Sequence, residues 1–114
     1  MSYVPRNNAI VDKSFYFACD IVLYSQKLKS AGFFEIASQL LKSGTSIGAN
    51  VRESQRAVST KDFKNKLGIA LKEAEETQYW MQIIDYTKVF NVPAELSEKC
   101  DELLKLLVSI IKNS

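Results

Sequence analysis

Apolar residues recur along this chain in a rhythm of threes and fours, the period of amphipathic helices. The first run covers about 8–29, with Ile10, Phe17, Ile21, Tyr24 and Leu28 on one stripe. Val11, Phe15, Ala18 and Val22 form a neighbouring stripe, so the apolar face is wide. Ser30, Ala31 and Gly32 break the run, with Gly32 suited to a left-handed C-cap. A second run, about 34–57, carries Ala37, Leu41, Gly44, Gly48 and Val51 at alternating spacings of four and three. That spacing is the seam of a left-handed antiparallel bundle.

Ser59 and Asp62 stand at capping-box spacing and open a third run through Phe63, Leu67, Ala70, Ala74, Thr77, Met81 and Ile84. It closes near Phe90 and Asn91, where Asn suits a left-handed turn. Pro93 suits the first position of a fourth helix, whose seam is Leu96, Cys100, Leu103, Leu107 and Ile110. Short connections favour antiparallel neighbours. The pattern predicts an all-α, up-down-up-down antiparallel four-helix bundle, one domain over residues 1–114.

Two glycines inside the apolar face of the second helix need a reason. Each costs roughly 1 kcal/mol relative to alanine in a helix interior. A missing Cβ lets two backbones approach, so Gly44 and Gly48 are read as helix-packing positions. Lys42, Arg52 and Arg56 lie outside that face.

Composition then narrows the chemistry. Histidine is absent from the 114 residues, which excludes Ser-His-Asp and Cys-His arrangements, His metal sites and Glu-x-x-His di-iron bundles. Gly44-x-x-x-Gly48 follows no strand and opens no helix, so it is not a phosphate loop. Carboxylate pairs such as Glu73 and Glu76 read as solvated helix surface. No catalytic residue, metal site or cofactor is expected, and the chain is not read as an enzyme. Cys19 and Cys100 lack ligand-like spacing and read as reduced, mostly buried thiols of a cytoplasmic protein, a structural disulfide being the lesser alternative. Residues 1–6 lack the apolar core of a signal peptide, and no apolar run is long enough to span a membrane.

Apolar surface exceeds what one bundle core needs. Tyr79, Ile83 and Tyr86 fall on the side of the third helix away from Phe63, Leu67 and Ala74. Tyr16, Cys19 and Leu23 sit away from the main stripe of the first. Tyr16, Leu23, Tyr79, Ile83 and Tyr86 are therefore candidate oligomer-interface residues, set against the plainer reading of amphipathic tyrosines on a surface.

The net charge of +2 hides an uneven distribution. Seven cations, Lys42, Arg52, Arg56, Lys61, Lys64, Lys66 and Lys72, face only Glu53 and Asp62 over residues 42–72, a local +5. The remainder carries −3. In an antiparallel hairpin most of these cations converge on one pole and flank, with Lys61, Lys64 and Lys72 on the outer side of the third helix around Gly68. Lys42, Arg52, Arg56, Lys61, Lys64 and Lys72 are the candidate nucleic-acid-binding residues, acting on phosphates with little base readout; a solvated, solubilising face is the alternative.

Gln39-Leu-Leu-Lys-Ser-Gly-Thr-Ser-Ile-Gly-Ala-Asn-Val-Arg-Glu-Ser54, followed by Lys66-Leu-Gly-Ile-Ala-Leu-Lys-Glu-Ala-Glu-Glu-Thr-Gln-Tyr-Trp80, resembles the four-helix-bundle family of intervening-sequence proteins, encoded within insertions in bacterial 23S ribosomal RNA genes. That family is similar to the accessory variability protein of diversity-generating retroelements. The resemblance covers nearly the whole chain, from Phe15-Tyr-Phe-Ala18 through the last helix. It implies a cytoplasmic homopentameric ring with a basic surface and no enzyme activity. Two partner classes follow: RNA or DNA at the basic residues, or a protein partner such as a reverse transcriptase-like protein on a scaffold ring.

Overall fold

The three-four rhythm becomes four helices in the computed structural model, which describes residues 8–114. They are α1 (Ala9–Ser30), α2 (Phe34–Ser54), α3 (Thr60–Thr87) and α4 (Ala94–Lys112). Residues 1–6, read above for a signal peptide, lie outside the described residues. Each helix packs on its chain neighbours and α4 closes back on α1, while the diagonal pairs α1/α3 and α2/α4 do not approach. Cross-links along the seams give the direction. Ser14 lies against Gly48 and Ile21 against Gly44; Glu53 pairs with Lys66 and Ser43 with Thr77; Lys13 pairs with Glu102 and Asp20 with Lys99. Every neighbouring pair is thus antiparallel, an up-down-up-down bundle.

The core alternates bulk against smallness. α1 brings Ile10, Phe17, Ile21, Tyr24 and Leu28, all buried, and α4 brings Leu96, Cys100, Leu103 and Leu107. α2 and α3 answer with Ala37, Ser43, Gly44, Gly48, Ala70, Ala74 and Thr77 between their larger Leu40, Ile47, Val51, Leu67, Met81 and Ile84. Complementary volumes of this kind let interiors reach crystal-like density. A Cβ at Gly44 would fall 2.7 Å from Ile21 Cγ2, and one at Gly48 would fall 3.2 Å from the Ser14 carbonyl oxygen. Both glycines therefore admit α1 against the α2 backbone. The buried hydroxyls pair across the next seam, Thr77 donating to Ser43 at 2.9 Å.

Helix ends follow local chemistry. Gly32, at φ +96°, ends α1 in a Schellman turn: Phe33 N–H donates to the Leu28 carbonyl and Gly32 N–H to Lys29, each at 3.0 Å. Ser59 caps α3, its hydroxyl accepting from Asp62 N–H at 3.0 Å, and the Asp62 carboxylate accepts from Val58 N–H at 3.2 Å. That closes the reciprocal cap one residue earlier than the standard box.

Several sequence expectations are corrected. Leu41 is 39% exposed, and its neighbour Leu40 takes the core position, because Gly44 and Gly48 turn toward α1 and the middle of the face passes through Leu40, Ile47 and Val51. On the second α1 stripe, Phe15 and Val22 are exposed rather than covered. α2 stops at Ser54 and not near residue 57, its last turn tightened by Gln55→Arg52 and Arg56→Glu53 bonds of 3.1 Å. α3 ends at Thr87, and the left-handed residue is Lys88 (φ 57°) rather than Asn91. Asn91 instead offers its carbonyl to the Tyr24 hydroxyl at 2.8 Å, beneath a cluster of Tyr24, Phe33 and Phe90. Pro93 is the N-cap of α4, not its first helical residue. Cys19 is exposed, unlike Cys100, and both are free thiols.

The glycines can be tested by paired substitutions. Gly48→Leu should destabilise by about 1–3 kcal/mol or more, because it drives a side chain into the α1 backbone. Gly68 is exposed and, among the described residues, a Cβ there would have no neighbour within 4 Å, so Gly68→Ala should raise stability by up to about 1 kcal/mol. Thermal or denaturant unfolding reads both, and a Gly48→Leu protein as stable as the parent would refute the packing argument.

The thiols and Tyr24 carry a pH consequence. Burial, then Asp101, pushes the Cys100 thiol from 9.0 up to about 12; burial, then Asp85, pushes Tyr24 from 10.0 up to about 12. Both groups stay neutral in the fold but ionise earlier in the unfolded chain. Their stabilising contribution is whole below pH 9 and is lost as pH rises from there toward 12. Melts across that window should fall accordingly. A thiol reagent at neutral pH should modify Cys19 in the folded protein and Cys100 only after unfolding.

Candidate nucleic-acid interface

The α2–α3 hairpin carries the basic segment, and its tight connection, residues 55–59, forms one pole of the bundle. Arg52 sits on the last turn of α2, Arg56 in the connection, and Lys61 and Lys64 on the first two turns of α3. Arg52, Arg56 and Lys61 are exposed and Lys64 half-buried. Four of the six candidate cations thus lie at one end of the bundle, Arg52 on the α1 side of α2 and Lys61 and Lys64 on α3. Lys72 lies farther along α3, about 12 Å of helix rise beyond Lys64, on the same outer ridge. Lys42 is not brought together with them. Its neighbour Ser43 bonds Thr77, which sets Lys42 level with the middle of α3.

The acids of this segment are already engaged. Glu53 accepts from Lys66 at 3.0 Å, a bond that raises the Lys66 pKa, with the Glu53 charge adding to it. Asp62 is spent on the cap of α3. Among the described residues no carboxylate pairs with Arg52, Arg56, Lys61, Lys64 or Lys72. Arg52 lies over the Phe15 ring instead, its guanidinium carbon 5.2 Å from the centroid. That contact orients the guanidinium while its charge remains unneutralised. Two partners here escaped the sequence reading, Phe15 and Glu53. The available signal was antiparallel register: Glu53 and Lys66 lie on facing turns once the hairpin is drawn.

The five candidate interface residues divide between two helices. Tyr16 and Leu23 lie exposed on α1, Leu23 at 60%; Tyr79 and Tyr86 lie exposed on α3, Tyr86 at 89%; Ile83 is half-buried. Because α1 and α3 are diagonal in the bundle, these are two separate surfaces. A further apolar strip, missed in the sequence, follows the α1/α2 seam: Phe15 and Val22 from α1, with Phe34 and Leu41 from α2. Among the described residues no group of three potential metal ligands forms, and no helix is long and apolar enough to cross a membrane.

The 23S rRNA-intervening sequence protein family matches residues 6–109. The chain belongs to that family. A solved structure of an S23 ribosomal protein family member from Bacteroides thetaiotaomicron, itself of unknown function, superposes with a TM-score of 0.85. It is 44% identical, over 92% of this chain and 96% of its own. No curated protein matches. For this intervening-sequence family member, kinship and bundle architecture agree, and the exposed cations are the feature left to interpret.

Proposed function

We propose that this intervening-sequence family member is a non-enzymatic, cytoplasmic, homo-oligomeric RNA-associated protein that holds phosphates on the basic pole of its α2–α3 hairpin. One observation carries the reading: both acids among the seven cations of residues 42–72 are engaged inside the protein, Glu53 by Lys66 and Asp62 by the α3 cap. Among the described residues Arg52, Arg56, Lys61 and Lys64 therefore have no carboxylate partner, and counterion release would reward phosphate contact. Arginine forks add bidentate bonds that lysine cannot make. Repetition of this pole around a ring multiplies the effect. A five-fold ring requires two different faces per subunit, and Tyr16 with Leu23 on α1 and Tyr79 with Tyr86 on α3 supply such a pair.

A second reading is a scaffold that organises a protein partner, such as a reverse transcriptase-like protein. The apolar strip of Phe15, Val22, Phe34 and Leu41 favours it, since such patches mark protein contacts.

RNA retention across a salt series separates the two. Affinity should fall steeply with salt and depend little on sequence, each phosphate contact contributing about 0.7–0.9 to the log–log slope. Arg52→Ala with Arg56→Ala should lower both affinity and slope, while stability changes by no more than about 1 kcal/mol. Glu53→Gln should act oppositely, freeing Lys66 and steepening the slope. Absence of binding to single- or double-stranded RNA or DNA at low salt would remove the nucleic-acid reading and leave the scaffold.

Assembly is tested by mass. Light scattering at micromolar concentration should give a multiple of 12.9 kDa, with five copies expected. Tyr16→Glu or Tyr86→Glu should lower it, and a wild-type monomer would defeat the ring.

A further inference from the structure

We infer that the outer ridge of α3, Lys61-Lys64-Gly68-Lys72, is the track on which the sugar–phosphate backbone of an RNA strand comes closest to this protein, with Gly68 as the point of contact; this rests on the RNA reading above. Gly68 differs from the other helical glycines. Gly44 and Gly48 are explained by α1, whereas among the described residues a Cβ at Gly68 would meet nothing within 4 Å. The residue is exposed, lies inside the 28-residue α3, and has no positive φ. It therefore weakens the helix without serving close packing or a turn among the described residues. A surface from outside can use the missing side chain.

The surroundings select that surface. One turn to either side stand Lys64 and Lys72, with Lys61 a further turn back and Asn65 beside them. No carboxylate occupies the positions three or four residues from Gly68, which are Lys64, Asn65, Leu71 and Lys72. Four residues of helix rise about 6 Å, of the order of the step between successive phosphates along a strand. A strand resting on the bare helix at Gly68 puts its flanking phosphates in reach of Lys64 and Lys72. Glu75 and Glu76 end the track beyond Lys72. At its other end it runs into a shallow concavity lined by Ser59, Lys61, Asp62, Lys64 and Asn65, beside the pole.

The test uses Gly68→Leu and Lys64→Gln with Lys72→Gln, each measured for melting temperature, assembly mass and affinity for a short mixed-sequence RNA, alone or annealed to its complement. Gly68→Leu should fold and assemble like the parent yet bind RNA several-fold more weakly at unchanged charge. The double lysine variant should also bind more weakly, with a shallower salt slope. If Gly68→Leu binds as tightly as wild type while Arg52→Ala with Arg56→Ala does not, the track is refuted and the basic pole stands. A changed assembly mass for Gly68→Leu would assign the ridge to a second copy of the chain and overturn the inference. Failure of the wild-type protein to bind RNA would defeat the functional reading and the track with it.

Discussion

The closeness of α1 to α2 governs the geometry of everything else. At Gly44 and Gly48 the α2 backbone offers no side chain, and Ile21 and the Ser14 carbonyl occupy the space. Few other arrangements of α2 satisfy this contact: turning the helix by one residue would replace a glycine with Thr45 or Ala49 and force the backbones apart. The helix-propensity loss at two glycines, roughly 1 kcal/mol each, is offset by what the approach allows. Buried Phe17, Ile21 and Leu28 then reach the middle of the bundle, where dispersion and apolar burial are largest.

That rotation propagates to the next seam and to the surface. With Gly44 against α1, Ser43 faces α3 and meets Thr77, a buried pair that fixes the register of the hairpin. The same register sets Glu53 opposite Lys66 and projects Arg52 back over Phe15. A packing constraint in the core thereby sorts the charges at the pole. One anion is neutralised, another caps a helix, and the arginines stay free. The looser α1–α4 seam is bridged by exposed ion pairs, Lys13–Glu102 and Lys99–Asp20, whose kind typically adds at most about 1 kcal/mol.

The exposed surfaces differ in chemistry, which matters for a protein of this family. The pole and the α3 ridge carry the cations, but Val58 stands 92% exposed in the connection, Phe15 lies under Arg52, and the ridge runs on to Tyr79 along the same face of α3. The α1 face of Tyr16 and Leu23 and the strip of Phe15, Val22, Phe34 and Leu41 expose apolar side chains.

Much of the fold was legible from spacing alone. The stripes Ile10-Phe17-Ile21-Tyr24-Leu28, Leu67 to Ile84 and Leu96 to Leu107 are the buried faces, and Gly32 and Ser59 end and begin helices as their chemistry requires. Charge clustering was legible too, because it is a property of sequence. These features arise within one helix or one turn, where a period of 3.6 residues or a single φ angle decides the outcome. Other features depended on which neighbour stands opposite. Leu40 and Leu41 are both leucine, and only the rotation of α2 about its own axis, with Gly44 and Gly48 toward α1, chose between them. Lys88 rather than Asn91 is left-handed, and the Asn91 carbonyl instead accepts from the Tyr24 hydroxyl, 67 residues away. Cys19 was left exposed, Phe15 was drawn under Arg52, Lys42 was separated from the pole, and Gly68 was left bare. The sequence by itself determined the helices and their inward faces; the tertiary structure decided exposure and charge pairing, because those are set by distances between elements that no local period encodes.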